Sequence, residues 1–250
     1  MTAYADLAGW YDLLMDDVDY AAWADYYMRL LGRAGVVPAR LCDCACGTGA
    51  MSVQFAARGI QVTGVDLSGE MLERAQMRAR RDGVRAMFVR QDMCALHLPR
   101  PVDALVCACD GVNYLLDDNR LNAFFQSARR ALRPGGALAF DVSSAWKLQY
   151  TLGNNFFGED RDDVTYLWFN RFDEAARTVT MELSFFTPEA DGRYRRFDET
   201  HVQKAHEAEH LRALLSGNGF CNIEIFGDKT LCAPEEDAPR IHFLAVRESE

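Results

Sequence analysis

No apolar run of membrane-spanning length occurs in this 250-residue chain, and its opening, MTAYADLAGWYD, carries acidic groups where a secretory leader has basic and apolar ones. A cytoplasmic protein that crosses no membrane is expected. There are eight cysteines, but neither the group Cys42, Cys44 and Cys46 nor the pair Cys107 and Cys109 has the CxxC spacing of a structural zinc site or a nearby histidine at ligand spacing. Cys42, Cys44 and Cys46 alternate, as do Cys107 and Cys109, so on strands each set would share a face. They read as buried thiols acting as small hydrophobes, with no metal and no disulfide. A concentrated basic face is missing too: 37 acidic residues outnumber 27 basic ones, for a formal charge of −10, which argues against a nucleic-acid backbone as the main partner. The stretch MLERAQMRARRDGVRA holds Arg74, Arg78, Arg80, Arg81 and Arg85. It reads as the solvated face and C-terminal end of a helix, with an anion-binding surface as the alternative. There is no internal repeat and no low-complexity tract. Arg133-Pro134-Gly135-Gly136 lacks the Lys-Ser/Thr pair of a Walker turn.

What is present suits one domain over 1–250: 49% of residues are hydrophobic and 26% charged, enough for one core with a modest appendage. Helical spacing marks YADLAGWYDLLM and DYAAWADYYMRLLGRAG within residues 1–37. Strands are predicted at Ala39–Cys44, Gln61–Val65, Arg85–Val89, Asp103–Ala108 and Ala137–Phe140. Between them lie helices at Ala50–Arg58, SGEMLERAQMRARR and NRLNAFFQSARRAL. That alternation describes an α/β fold, a mostly parallel sheet covered on both faces. After Asp141 the pattern changes. Val164–Phe169, Thr178–Phe185 and Arg193–Gln203 read as an antiparallel insertion within 145–206, followed by a helix at Glu207–Leu215 and strands near Asn222–Phe226 and Ile241–Val246.

The chemistry gathers at the carboxyl ends of the predicted parallel strands. Gly47 and Gly49 follow the first strand and precede a helix, where a ligand can approach main-chain N–H groups unobstructed. The dinucleotide fingerprint would place Gly or Ala three residues after Gly49, and Ser52 stands there instead. Asp43, inside the first strand, needs a donor such as an ammonium group or main-chain N–H groups. Asp66 closes the second strand and is placed to accept two ribose hydroxyls, with Leu67 and Met71 as apolar walls. Asp92 and Met93 offer a carboxylate and an apolar surface to an adenine ring.

The run Leu41-Cys42-Asp43-Cys44-Ala45-Cys46-Gly47-Thr48-Gly49 resembles the first motif of the class I methyltransferases that use S-adenosylmethionine (SAM). Asp66 matches that family's ribose ligand, and Asp92-Met93 its adenine-side pair. Cys109 to Tyr114 matches the stretch after its fourth strand, and Arg133 to Gly136 its turn before the fifth. The resemblance implies a Rossmann-like seven-stranded sheet, mostly parallel and flanked by helices, with the antiparallel insertion after strand 5. It also implies SAM as cofactor, S-adenosylhomocysteine as product, and contacts from Ala45, Cys46, Gly47, Thr48, Gly49, Cys109 and Asn113. The opening Ala8, Tyr11, Asp12, Leu14 and Met15 resembles a subgroup of small-molecule and sugar N-methyltransferases, in which N-terminal aromatics help close the pocket; Tyr11 and Trp23 take that role here by resemblance.

A sulfonium methyl is already activated, so in-line alignment does much of the catalytic work and a base is needed only for a protonated or weak nucleophile. His206 and His210, one helical turn apart, are the weak candidates for that base. The expected acceptor is a small molecule methylated on nitrogen or oxygen. A protein or RNA acceptor and a SAM-binding regulator without turnover stand as alternatives. The acceptor site is expected to draw on the N-terminal helices and the insertion, where Trp146, Tyr150, Tyr166, Trp168, Phe169 and Phe172 supply aromatic surface.

Overall fold

The apolar runs Arg40–Cys44 (β1), Gln61–Asp66 (β2), Ala86–Arg90 (β3), Val102–Cys107 (β4) and Leu132–Ser143 (β5) lie side by side as parallel strands in a computed structural model that describes residues 9–249. Two late strands, Phe220–Phe226 (β10) and Arg240–Arg247 (β11), add antiparallel to β5, giving the order β10-β11-β5-β4-β1-β2-β3. The seven-stranded, mostly parallel sheet expected of the resemblance is the one observed. Crossover helices Ala50–Ala57 (α3), Gly69–Arg81 (α4) and Asp118–Ala131 (α5) follow β1, β2 and β4. Between β3 and β4 the chain forms only a three-residue 3-10 turn, Met93–Ala95.

Side chains alternate across the sheet and split the core in two. Leu41, Val62, Ala104 and Ala139 face the long N-terminal helix Tyr20–Arg33 (α2) and α3. Cys42, Cys44, Leu105, Cys107 and Phe140 face α5 and the late helix Ala208–Gly217 (α6). Cys42, Cys44 and Cys107 are fully buried free thiols, as their alternation predicts. Cys46 and Cys109 instead fall just beyond the strands, in the loops of the candidate site.

The insertion is a separate four-stranded antiparallel sheet, in the order Phe156–Asp160 (β6), Thr165–Asp173 (β7), Thr178–Pro188 (β8), Tyr194–Lys204 (β9). Strand β6 escapes the sequence pattern because it is a largely exposed edge that turns only Phe157 inward, too little for an apolar alternation. Strand β5 starts at Leu132, five residues ahead of the prediction. Residues 133–136 bulge out, Val102 pairing with Leu132 and Ala104 with Ala137, while Asp103 pins the Arg133 guanidinium at 2.7 Å. Of the first predicted helix only one turn, Tyr11–Leu14 (α1), lies among the described residues; Leu7 and Ala8 fall outside them.

Candidate active site

A cavity of about 410 Å³ opens at the carboxyl ends of β1, β2 and β4, within the ~300–1,000 Å³ range of small-molecule sites and at the crevice where parallel sheets take ligands. Tyr11, Asp43, Ala45, Cys46, Gly47, Thr48, Asp66, Leu67, Met71, Asp92, Met93 and Cys109 all line it, as the sequence and the resemblance predict. Tyr20, Ser68, Gln91, Gly111, Tyr114, Leu115 and Arg120 line it too, and the spacing argument did not select them.

The glycine turn is built for close approach. Gly47 sits at φ 52°, and a Cβ added there would meet no atom within 4 Å, so the main chain is bare toward the cavity. Gly49, at φ 74°, serves a different end: a Cβ there would come within 2.8 Å of Ala75 Cβ on α4. It is a packing glycine at the start of α3 and does not line the cavity.

Asp66 Oδ2 accepts from the Gly47 N–H at 2.8 Å and Oδ1 from the Ser68 N–H at 2.9 Å. A carboxylate has about four lone-pair sites, so two directions stay available for a pair of hydroxyls. Asp43, 1% exposed, finds its donor in the Ser52 hydroxyl at 2.5 Å. Burial raises its carboxyl to about 7, the Ser52 bond pulling it down and nearby Asp66 pushing it further up.

Asp92 is held in a two-pronged pair with Arg120, at 2.9 and 3.0 Å, and accepts the Cys94 N–H at 2.9 Å. Partial burial works against its ionisation, but the Arg120 and Cys94 bonds outweigh it and keep the carboxyl below its usual range. The sequence signals Arg120 only as an ordinary helix residue, because the β4–α5 loop that delivers it to Asp92 leaves no local pattern.

The N-terminal segment covers the glycine turn. Asp12 accepts the Thr48 hydroxyl at 2.7 Å and pairs with Arg78 at 2.5 Å; Arg78 Nε in turn donates to the Thr48 carbonyl at 3.1 Å. Tyr11 is buried against the cavity, which raises its phenol well above the ordinary value, with Cys109, Tyr20 and Tyr114 nearby. On the other side of α1, Trp10, Leu13 and Leu14 pack with Val164, Phe185 and Phe197 of the insertion.

The wall after β4 is held in left-handed backbone, Cys109 at φ 58° and Asp110 at φ 67°. Such non-glycine geometry costs on the order of 1–3 kcal/mol per residue and needs support. Asp141 provides it, accepting the Cys109 N–H at 2.8 Å and the Asp110 N–H at 3.2 Å. Fully buried, Asp141 also takes the Tyr27 hydroxyl at 2.6 Å and pairs with Arg240, which bridges to Asp110.

Four of the remaining expectations fall away from the cavity. Trp23 packs in the core beside His242 and beneath Arg240, 5.0 Å from its ring, because the buried face of α2 turns toward β11. Asn113 is a buried clamp: its Nδ2 donates to the Ser143 and Lys204 carbonyls and its Oδ1 accepts the Ser143 N–H. His206 is 4% exposed, and burial lowers its imidazole to about 4 although bonds to the Val112 and Leu115 backbone favour the proton. His210 lies on the outer surface of α6, 2.8 Å from Asp118. The histidine that does reach toward the cavity is His201, whose Nδ1 lies 3.4 Å from the Tyr114 hydroxyl.

This cavity and sheet order are those of a methyltransferase. The sequence profile described as "Methyltransferase domain" matches residues 41–136. A chain named as a methyltransferase in Geobacillus sp. (strain WCH70) is 35% identical over 247 residues, 98% of this chain and 99% of that one. The crystal structure of an S-adenosylmethionine-dependent methyltransferase from Clostridium acetobutylicum superposes with a TM-score of 0.88 at 32% identity, covering 98% and 99% of the two chains. The protein belongs to the family of SAM-dependent methyltransferases. It is also 28% identical, over 83% of its length and 87% of the other's, to dTDP-3-amino-3,4,6-trideoxy-alpha-D-glucopyranose N,N-dimethyltransferase from Streptomyces venezuelae.

Proposed function

We propose that the protein transfers the methyl group of SAM to a nitrogen or oxygen of a small-molecule acceptor, with amino sugars the leading class. The observation that carries the donor assignment is the bare Gly47 main chain beside an Asp66 carboxylate with two spare acceptor directions, at the mouth of a 410 Å³ cavity. When bound, SAM supplies a methyl carbon activated by its sulfonium.

The chain's own residues do the holding. Asp66 would accept the ribose hydroxyls, Leu67, Met71 and Met93 would supply apolar surface for the adenine, and Asp92, steadied by Arg120, would accept from its amino group. Asp43 and the turn from Ala45 to Thr48 border the amino-acid end of the donor, with Cys109 at the cavity's opposite wall. Tyr11, Tyr20 and Tyr114 stand on the acceptor side. Burial keeps the Tyr11 phenol protonated, so it positions an acceptor as a neutral hydroxyl and takes no proton. Alignment therefore carries the reaction, and neither His206 nor His210 serves as a base. The insertion within 145–206 acts on the acceptor side indirectly, through its packing on α1 and the His201–Tyr114 contact. Support for the amino-sugar class comes from the Streptomyces venezuelae relative. Eight free thiols suit the reducing cytoplasm.

Titration calorimetry with SAM and S-adenosylhomocysteine, then methyl-transfer assays on nucleotide-linked amino sugars, simple amines and phenols, test this reading. Donor binding with turnover of one of these classes is expected. A folded chain that binds neither SAM nor its product overturns the donor assignment. Turnover only of protein or RNA overturns the acceptor assignment.

A further inference from the structure

A second hollow, about 400 Å³, lies at the opposite end of the sheet, beneath the amino ends of β1, β2, β3 and β4. The crossover between β3 and β4 explains why it is there. Other parallel crossovers lay a full helix over the sheet, whereas this one offers only the 3-10 turn Met93–Ala95 and leaves the strand starts uncovered. The register puts Arg40, Thr63 and Met87 on one face of the sheet, where they form the floor.

Three guanidinium groups, those of Arg40, Arg85 and Arg100, line the hollow, and no carboxylate does. Among the described residues none of the three guanidiniums has a hydrogen-bond or ion-pair partner, and Arg40 Nε is shut off from solvent with no acceptor. Asp103 accepts the Arg40 main-chain N–H at 2.9 Å and is paired through its other oxygen with Arg133. In a chain of formal charge −10, three such cations gathered in one concavity form a local field opposite to that of the whole molecule. Leaving a buried guanidinium N–H unmatched is costly, so an acceptor brought by a ligand gains that cost back. Arg85 belongs to the arginine-rich stretch whose remaining members lie on α4 and its end, and the methyl-donor cavity makes no use of it.

We infer that this hollow is a binding site for a small phosphate-bearing anion, separate from the methyl-donor cavity. Guanidinium forks match phosphate oxygens in pairs, and arginines from two strand starts and the β3–β4 loop suit a ligand with two linked phosphates better than a single one. Leu98 and Val102 supply an apolar side wall for whatever the phosphates are attached to.

Titration calorimetry of the full-length protein with pyrophosphate at fixed ionic strength, alongside inorganic phosphate, tests the site. One saturable event is expected, at least tenfold tighter for pyrophosphate. The double variant Arg85→Gln/Arg100→Gln, both exposed and remote from the core, weakens it at least tenfold while S-adenosylhomocysteine affinity stays within twofold. Arg40→Gln gives the same loss. Absence of saturable binding, or affinity that survives the double variant, overturns the inference. Tighter binding of an oligonucleotide, lost through the same substitutions, overturns the small-ligand form of it in favour of a nucleic-acid backbone.

Discussion

Burial pushes the Asp43 carboxyl up to about 7 and the His206 imidazole down to about 4, and the two act on stability with opposite sign. Between its ordinary 3.8 and about 7, Asp43 holds more proton folded than unfolded, so stability falls as pH rises through that window. Between its ordinary 6.5 and about 4, His206 holds less proton folded than unfolded, so stability falls as pH drops. Relative to wild type, Asp43→Asn should therefore gain stability from pH 4 to 7, and His206→Gln from pH 7 to 4. Each swing is on the order of 3 kcal/mol, read from urea midpoints across the range. For the donor site, Asp66→Ala should weaken S-adenosylhomocysteine binding by about 10- to 100-fold in calorimetry, the worth of hydrogen bonds to a charged acceptor. That Asp43 needs a donor is legible from a carboxylate inside an apolar run. That Ser52 provides it is not, since the pairing depends on how α3 folds back over β1.

The short helix α1 is secured by two neighbours, Thr48 on the glycine turn and Arg78 on α4, both through Asp12. Asp12→Ala should release that edge of the cavity. The expected result is faster donor dissociation and a several-fold higher KM for SAM, with the unfolding free energy changed by less than about 1 kcal/mol because the pair is partly exposed. Hydrogen exchange at Tyr11–Leu14 should accelerate in the same variant. His210→Ala, by contrast, should leave kcat within about twofold, since α6 turns this side chain outward to Asp118. The crossover strands and helices of the sheet could be read from alternation because each buries a long apolar run. Strand β6 and the bulge at Arg133–Gly136 could not: the first turns only Phe157 inward, and the second is fixed by Asp103, thirty residues earlier. Similarly, helical spacing marks His206 and His210 but carries no information about which way that turn of chain faces.

At the scale of the molecule, the two halves of the sheet are joined where β5 meets antiparallel β11. There Phe140 and Phe243 stack 4.7 Å apart at 2°, both fully buried. Phe140→Ala should cost about 3–5 kcal/mol and lower Tm by roughly 10 °C, with the loss visible in calorimetric unfolding and no change in donor affinity at 25 °C. The layered sheet was legible from the rhythm of elements, and the grouping of Asp43, Asp66 and Asp92 around one cavity from their places at or near the carboxyl ends of strands. The network of Asp141, Arg240 and Asp110 was not, because its members come together only after β11 joins the sheet. A related distance governs α1. Its platform includes Arg161, which donates to the Leu13 carbonyl at 2.7 Å from 148 residues away, and Phe197. A ribosome delivers α1 well before that platform. Until Phe197 emerges, that turn keeps only its polar ties to Thr48 and Arg78 and lacks its apolar support, and a nascent chain arrested before Phe197 should retain the methyl donor poorly.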